Sequence, residues 1–391
     1  MRVLFLMISY PDVSINTNMY TDITKEFLRN GHDVYVAAPS IETTGTNDEG
    51  GIKVLRIKTL ALFNTSFIRK GIANLLLPYQ YKRAINNHFK NIPFDLILTP
   101  TPPITFIEIV DYLKKKYRSK VYLILRDIFP QNARDLGLIR NPLILKYFRR
   151  KEKKLYQQAD SIGCMSPKNI DFVHNHNPEV LWDKLHLLPN WTSVNEYDNK
   201  NSGIRVKYDI KETFVALFGG NFGIPQKMEF LVEVAEMIKY NKDILFLFVG
   251  EGTEKSSIQR KIKDKNLGNI RILDQLTREE YLELLKECDI GLVCLSDRFT
   301  IPNIPSRTLS YWSRKKPVLA AVDESTDYGD LLEKSNGGLW SITGNKESYI
   351  QNLYFLYNNP DIRKKMGENG YYYLINELNT EKAYITIISR I

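Results

Sequence analysis

Cysteine is scarce. Cys164, Cys288 and Cys294 are the only three in 391 residues. They are too few and too scattered for a disulfide framework or a zinc site, and such usage fits a reducing compartment. Cys164 and Cys294 sit in apolar, strand-like runs, which makes them small core residues. Histidine is nearly as rare: of the five, only His32 and His186 fall near predicted strands. Long apolar runs are missing too, since no stretch approaches the ~18 residues of a membrane span. The opening "MRVLFLMISYPD" has a short apolar run, ends at Tyr-Pro-Asp and lacks a small-residue cleavage site, so no signal peptide is expected there. Low-complexity tracts and fixed-period repeats are absent. An Asn-Trp-Thr sequon at Asn190 has no meaning in the cytoplasmic chain these absences suggest.

What is present is ordinary for a soluble globular protein: 43% hydrophobic, 25% charged, and long enough for two or three domains. Charge is uneven. The net value is +9, and from Phe67 to Ile92 there are Arg69, Lys70, Lys82, Arg83 and Lys90 with no acid. A second cluster, "KYFRRKEKKLY", sets six bases against Glu152. Bases interleaved with Phe, Leu and Tyr suit an anionic membrane surface. The same pattern also fits two solvated helix faces. Nucleic acid is not expected, because no base-reading motif accompanies the charge.

Along the chain, strand-like and helix-like segments alternate twice. The first series runs from "RVLFLMISY" through "MYTDITKEFLRNG", stopped by Gly31, to "LHLLPN". The polar stretch "NWTSVNEYDNKNSGIRVKYDIKE" reads as a linker. The second series runs from "TFVALFGGN" to "GGLWSI", and a mostly helical tail follows. Near-continuous apolar strands separated by helices indicate parallel sheets covered on both faces. The expected architecture is α/β with two Rossmann-like domains of nearly equal size. Their strands' carboxyl ends would line a cleft between facing domains, where ligands bind.

Three stretches of the second half share one design. "FGGNFG" (Phe218 to Gly223) follows a strand and precedes a helix, where glycines let backbone N–H groups approach an anion. It lacks the G-x-G-x-x-G spacing, and a plain strand-to-helix turn reads the same way. "FVGEGTEKSSIQ" repeats the arrangement, with Gly250 and Gly252 around Glu251 and Lys255 in the first helical turn. A base there opposes the helix dipole, and a bound phosphate would offset that. A solvent-exposed lysine is the alternative. In "IPNIPSRTLSYWSRKKP", Pro305 fits a helix start, Ser306 can cap it, and Thr308 and Ser310 add hydroxyls. Arg307 again places positive charge at the positive end. Lys227, Lys255 and Arg307 together favour a ligand with clustered negative charge, such as a diphosphate. In the first half, Arg126 and Asp127 end an apolar strand. A carboxylate there can accept a proton from a sugar hydroxyl, or simply pair with the arginine. The loop "SYPDVSINTN", with Tyr10 and Asn16, is expected on the same side.

Taken with "LLPNW" and "CDIGLVCL", these motifs resemble the family 4 glycosyltransferases over roughly residues 1 to 385. Within that family the chain is similar to a bacterial surface-polysaccharide subgroup carrying D-(I/L)-x-P and P-S-(K/R)-T, here Asp127 to Pro130 and Pro305 to Thr308. That subgroup includes transferases of N-acetyl-L-fucosamine. The resemblance implies a GT-B fold and transfer of an aminosugar from a UDP-sugar, with retention, no cofactor and no metal. The acceptor would be a lipid-diphosphate-linked saccharide in capsule or O-antigen assembly, at the inner face of the cell membrane. It implies an acceptor-binding domain at 1–190, a linker at 191–212, a nucleotide-sugar domain at 213–375, and a helix at 376–391 packing back on the first domain. Catalytic roles fall to Asp127, Lys255 and Arg307. Donor contacts fall to Gly220, Asn221, Gly223, Lys227, Gly250, Glu251, Gly252, Asp274, Leu276, Pro305, Ser306, Thr308, Ser310 and Asp330. Acceptor or cleft contacts fall to Tyr10, Asn16, Arg126 and Asn190.

The chain departs from the family pattern in several places. Two glutamates that many relatives carry are Pro302 and Ser310 here. A family arginine is Asn221, a family lysine is Gln226, and the first loop has no glycine. Two other classes share the architecture. A nucleotide-sugar 2-epimerase would need acid–base residues around the sugar. A non-catalytic sugar-binding subunit would tolerate the missing glutamates.

Overall fold

The structure, a computed structural model, describes residues 1–13, 16–62, 67–194 and 203–391, with the side chains of Phe67, Ile68 and Lys70 left aside. The expectation for Lys70, and much of that for the linker, therefore lies outside the described residues. The chain divides into two compact units: Met1–Ser193 with Thr380–Ile391, and Val194–Asn379.

In the first unit the apolar runs become buried strands. They are β1 (Arg2–Leu6), β2 (Asp33–Ser40), β3 (Gly45–Glu49) and β4 (Ile52–Lys58), then β5 (Leu96–Pro100), β6 (Lys120–Leu125), β7 (Ser161–Cys164) and β8 (Leu185–Leu187). Among the described residues they form one sheet, in the order β3-β4-β2-β1-β5-β6-β7-β8. All pairs are parallel except β3 with β4. The sequence reading missed β3. "GTNDE" has no apolar alternation and pairs only at the sheet edge, through a turn in which Gly50 and Gly51 take φ of 68° and 88°.

The helices of this unit are α1 (Met19–Arg29), α2 (Phe67–His88), α3 (Ile107–Tyr117), α4 (Gln131–Asp135), α5 (Pro142–Gln158) and α6 (Pro167–His176). Asn18 caps α1 by accepting from the N–H groups of Tyr20 and Thr21, and Thr21 closes a capping box. Pro78 lies inside α2 without ending it.

The second unit holds β9 (Phe214–Gly219), β10 (Ile244–Val249), β11 (Ile270–Leu273), β12 (Ile290–Cys294), β13 (Val318–Val322) and β14 (Gly338–Ile342). Among the described residues they form one parallel sheet, in the order β11-β10-β9-β12-β13-β14. This is the 3-2-1-4-5-6 order of a doubly wound sheet, with its switch point between β9 and β12. Both faces are covered. Phe214, Ala216 and Phe218 pack into one apolar cluster, and Val215 and Leu217 into another. The helices are α7 (Ile204–Lys207), α8 (Met228–Met237), α9 (Lys255–Asp264), α10 (Arg278–Lys286), α11 (Arg307–Ser313), α12 (Tyr328–Ser335), α13 (Lys346–Asn358) and α14 (Pro360–Glu377).

The last helix, α15 (Thr380–Ile388), packs with the first unit. Ala383 and Ile387 join the core of Phe5, Phe27 and Trp191. Tyr384 meets the Phe27 ring edge-on at 4.9 Å, and its hydroxyl lies 2.8 Å from His32 Nε2. The Ser193 and Thr380 hydroxyls are 3.1 Å apart. The three cysteines are free and buried. Among the described residues no helix is long and apolar enough to cross a membrane.

Candidate functional site

The switch point of the second sheet places the loops after β9 and β12 side by side. Ser296 N donates to Pro225 O at 2.8 Å and ties them together. The two glycine turns are laced as well. Phe222 N donates to Glu251 O, and Glu254 N to Phe222 O, each at 2.8 Å. A Cβ on Gly250 would fall 2.0 Å from Gly220 O, and one on Gly252 would fall 2.4 Å from Phe222 O. Loop-to-loop contact is therefore sufficient reason for these two glycines, and both take φ near 150° (147° and 157°). Beneath them, Tyr311 anchors the strand ends. Its hydroxyl donates to Leu292 O at 2.9 Å and accepts from Gly219 N at 3.2 Å.

The three expected bases are not equivalent. Lys255 is buried, and its Nζ lies 2.5 Å from both Glu251 Oε1 and Asp274 Oδ1. Burial alone would lower its pKa, but the bonds to Asp274 and Glu251 outweigh that and hold it above the ordinary value. The bond from Lys255 in turn holds the Asp274 carboxyl below its ordinary range. Lys227, at φ 38°, pairs with Asp297 at 2.6 Å. The surplus positive charge expected at these two helix starts is thus already compensated. The compensating carboxylates of Asp274, Glu251 and Asp297 are 88%, 51% and 47% exposed, so each can swing away at little cost.

Arg307 differs. Its guanidinium carbon sits 4.2 Å from the centroid of the Phe218 ring, the last aromatic of β9. Its Nη2 comes within 3.6 Å of where Gly220 would carry a Cβ. Nη1 is buried and has no hydrogen-bond partner. A buried guanidinium N–H without an acceptor is unusual, because leaving one unpaired is costly. This is the group best placed to receive an anion at the switch point.

Several expectations need correction. The helix begins at Arg307, not Pro305, and Ser306 makes no side-chain cap bond because its backbone is already helical. Thr308 is 2% exposed and its Oγ1 bonds the Tyr328 hydroxyl at 2.5 Å, so it is committed to the core. Tyr10 is also internal: its hydroxyl bonds Thr24 at 2.8 Å, and burial raises its pKa to about 12. Arg126 turns inward. It donates to Leu188 O at 2.9 Å and lies 4.7 Å from the centroid of the Trp191 ring, with its pKa lowered by burial to about 10. Asn190 is buried, while Asp127 and Asn16 are exposed.

Asn221 is exposed, and its Nδ2 folds to within 2.6 Å of where Gly223 would carry a Cβ. Ser310 and Leu276 are half-buried, and Leu276 packs against the core. Asp330 is exposed in the first turn of α12, where a carboxylate suits the dipole. Sequence reasoning missed Phe218 as the platform under Arg307 and Asp297 as the partner of Lys227. Only the fold brings either into place. The histidines near strands are structural. His186 is held against the Tyr122 hydroxyl at 2.7 Å, and burial lowers its pKa to about 4. No group of three or more His, Cys, Asp or Glu that could hold a metal occurs among the described residues.

Comparison with known proteins bears on the fold and the family. Residues 202–372 match the family model for "Glycosyl transferases group 1". A probable glycosyltransferase of Pseudomonas aeruginosa, WbjE, is 21% identical over 294 residues, covering 71% of this chain and 69% of that protein. The chitobiosyldiphosphodolichol beta-mannosyltransferase of Dictyostelium discoideum is 28% identical over 178 residues, covering 45% and 32%. Among solved structures, sucrose-phosphate synthase from Thermosynechococcus elongatus has a TM-score of 0.78 at 14% identity, over 100% of this chain and 98% of that one. Anabaena HepE in complex with UDP has a TM-score of 0.71 at 14% identity, over 100% and 99%. Structural likeness at such identities speaks to the fold alone. Residues 202–372 thus resemble a glycosyl transferases group 1 domain, and the chain as a whole has the GT-B fold.

Proposed function

We propose that this glycosyltransferase moves an N-acetylated aminosugar from a UDP-sugar to a lipid-diphosphate-linked saccharide during bacterial surface-polysaccharide assembly. Anomeric configuration is retained and no metal or cofactor takes part. The observation that carries the reading is Arg307, whose buried Nη1 lacks an acceptor at the end of β9. A diphosphate oxygen supplies one. The bond from the anomeric carbon to the diphosphate breaks, and the charge that develops on the leaving oxygen is stabilised by Arg307. Lys255 joins as its exposed carboxylate partners give way. The acceptor hydroxyl attacks from the same face, and no covalent enzyme intermediate forms. Asp127, exposed after β6, orients that hydroxyl or takes its proton.

The lipid acceptor is supported by the basic and apolar surfaces of α2 and α5, which we propose face the inner leaflet of the cell membrane. The Dictyostelium relative is by name a diphosphodolichol-directed transferase, which is in keeping with such an acceptor. The test is incubation of purified protein with a panel of UDP-sugars and a lipid-diphosphate monosaccharide. New disaccharide is the expected product. Sugar interconversion without acceptor would point instead to an epimerase, and binding without turnover to a non-catalytic subunit.

A further inference from the structure

The first unit carries a groove that the donor site does not use. It lies among α2, α3, α5 and the turn Ile104–Phe106, with a volume of about 720 Å³. That is within the roughly 300–1,000 Å³ of ligand clefts. One wall is apolar, formed by Leu75, Pro78 and Tyr79 of α2 and Tyr147 of α5. Leu75 and Tyr79 are exposed, as are Ile72, Leu76, Leu143 and Ile144 along the same two helices. Exposed bases flank them, Arg69, Lys82 and Arg83 in α2 and Lys146, Arg150 and Lys154 in α5.

The other wall is charged, and its charges do not cancel. Asp111 is taken by Lys115 at 2.7 Å and Glu108 by Lys151. Lys82 and Lys116 have no carboxylate partner among the described residues. They stand 4.1 and 5.7 Å from the centroid of the Tyr112 ring. Lys116 also donates to Asn86 Oδ1 at 2.9 Å. Between the walls sits Thr105, 3% exposed, whose hydroxyl has no hydrogen-bond partner. Buried hydroxyls are normally satisfied, so this one marks a place for an outside acceptor.

We propose that the groove takes one anionic phospholipid. An acyl chain lies against Leu75, Tyr79 and Tyr147, the phosphate meets Lys82 and Lys116, and Thr105 donates to a head-group oxygen. This deepens the membrane part of the proposed function and rests on it. A second copy of the chain fits less well, because a self-complementary contact would set the acid-free face of α2 against its own bases.

The test uses the full chain and short-chain phosphatidylglycerol below its micelle-forming concentration, followed by calorimetric titration. Phosphatidylcholine vesicles with and without phosphatidylglycerol are floated in parallel. Binding of one lipid per chain is expected. Lys82→Gln and Lys116→Gln should each weaken it about fivefold, the worth of one base near an anionic surface. Leu75→Ser with Tyr79→Ser should abolish it. Vesicle flotation without binding of the monomeric lipid would overturn the groove in favour of mere surface adsorption. A concentration-dependent dimer that Tyr79→Ser disperses would overturn it in favour of a second copy. UDP affinity is measured on the same samples. Absent lipid binding with intact UDP affinity rejects the groove and leaves the donor site standing.

Discussion

Arg307→Met separates holding a ligand from holding the fold. In the unliganded protein two effects oppose each other. Losing the guanidinium over Phe218 costs about 0.5–2 kcal/mol. Removing a buried, unpaired Nη1 returns about 1–3 kcal/mol. Methionine keeps much of the volume and packs well on an aromatic ring. The net change in stability is therefore about zero or a small gain, and a domain of this size shifts its Tm by about 2–4 °C per kcal/mol. Ligand binding has no such compensation. A hydrogen bond to a charged group is worth about 1.5–3 kcal/mol, so the Kd for UDP should rise on the order of 10- to 100-fold. Titration calorimetry and thermal unfolding of the same preparation read both quantities. A Tm lowered by more than about 5 °C with unchanged UDP affinity would refute the reasoning, because the guanidinium would then be a strut and not a seat.

Four further outcomes are expected. Asp274→Asn should leave Lys255 with one carboxylate and tighten UDP binding by about twofold to fivefold in titration; weaker binding would mean that Asp274 itself contacts the ligand. Thr308→Val should cost about 1–3 kcal/mol in denaturant unfolding by stranding the Tyr328 hydroxyl, with UDP affinity unchanged. Gly250→Ala should cost about 3 kcal/mol or more, since a Cβ there meets Gly220 O; near-wild-type unfolding would show that the two loops can part. His186 has a folded pKa of about 4, below its ordinary value, so the fold binds fewer protons than the unfolded chain between these values. Stability should fall on acidification through that window, by about 2 kcal/mol after screening, and His186→Gln should remove the slope.

Much of the fold was legible because parallel strands buried on both faces leave near-continuous apolar runs, as in Phe214–Gly219 and Ile244–Val249. The glycine turns were legible too, though their reason was not. Gly250 and Gly252 read as room for a phosphate, yet each is already required by the neighbouring loop. The charge at Lys255 misled for a related cause. Its partner Glu251 stands four residues away, but Asp274 lies nineteen residues on and is brought in by the turn after β11. Ser306 and Thr308 looked like a cap and a ligand hydroxyl because residue type is local information, whereas the direction of a side chain depends on the start of the helix and on Tyr328. Arg307 was legible as a residue of interest. Its unpaired nitrogen was not, since burial of a single atom depends on Phe218 of β9 and Gly220 of the turn that follows it.

The placement of α15 has a consequence for synthesis. Most of the first unit emerges from the ribosome before the second, yet part of its core is encoded after the second. Until residues 380–391 are made, the Phe27 ring and the His32 imidazole lack Tyr384, and the apolar seat of Ala383 and Ile387 stays open. The second unit, by contrast, has its whole sequence available once Asn379 is joined. The order of translation and the order in which the cores close are therefore reversed. The nascent first unit must keep its sheet from sticking to other chains for the time needed to translate the second.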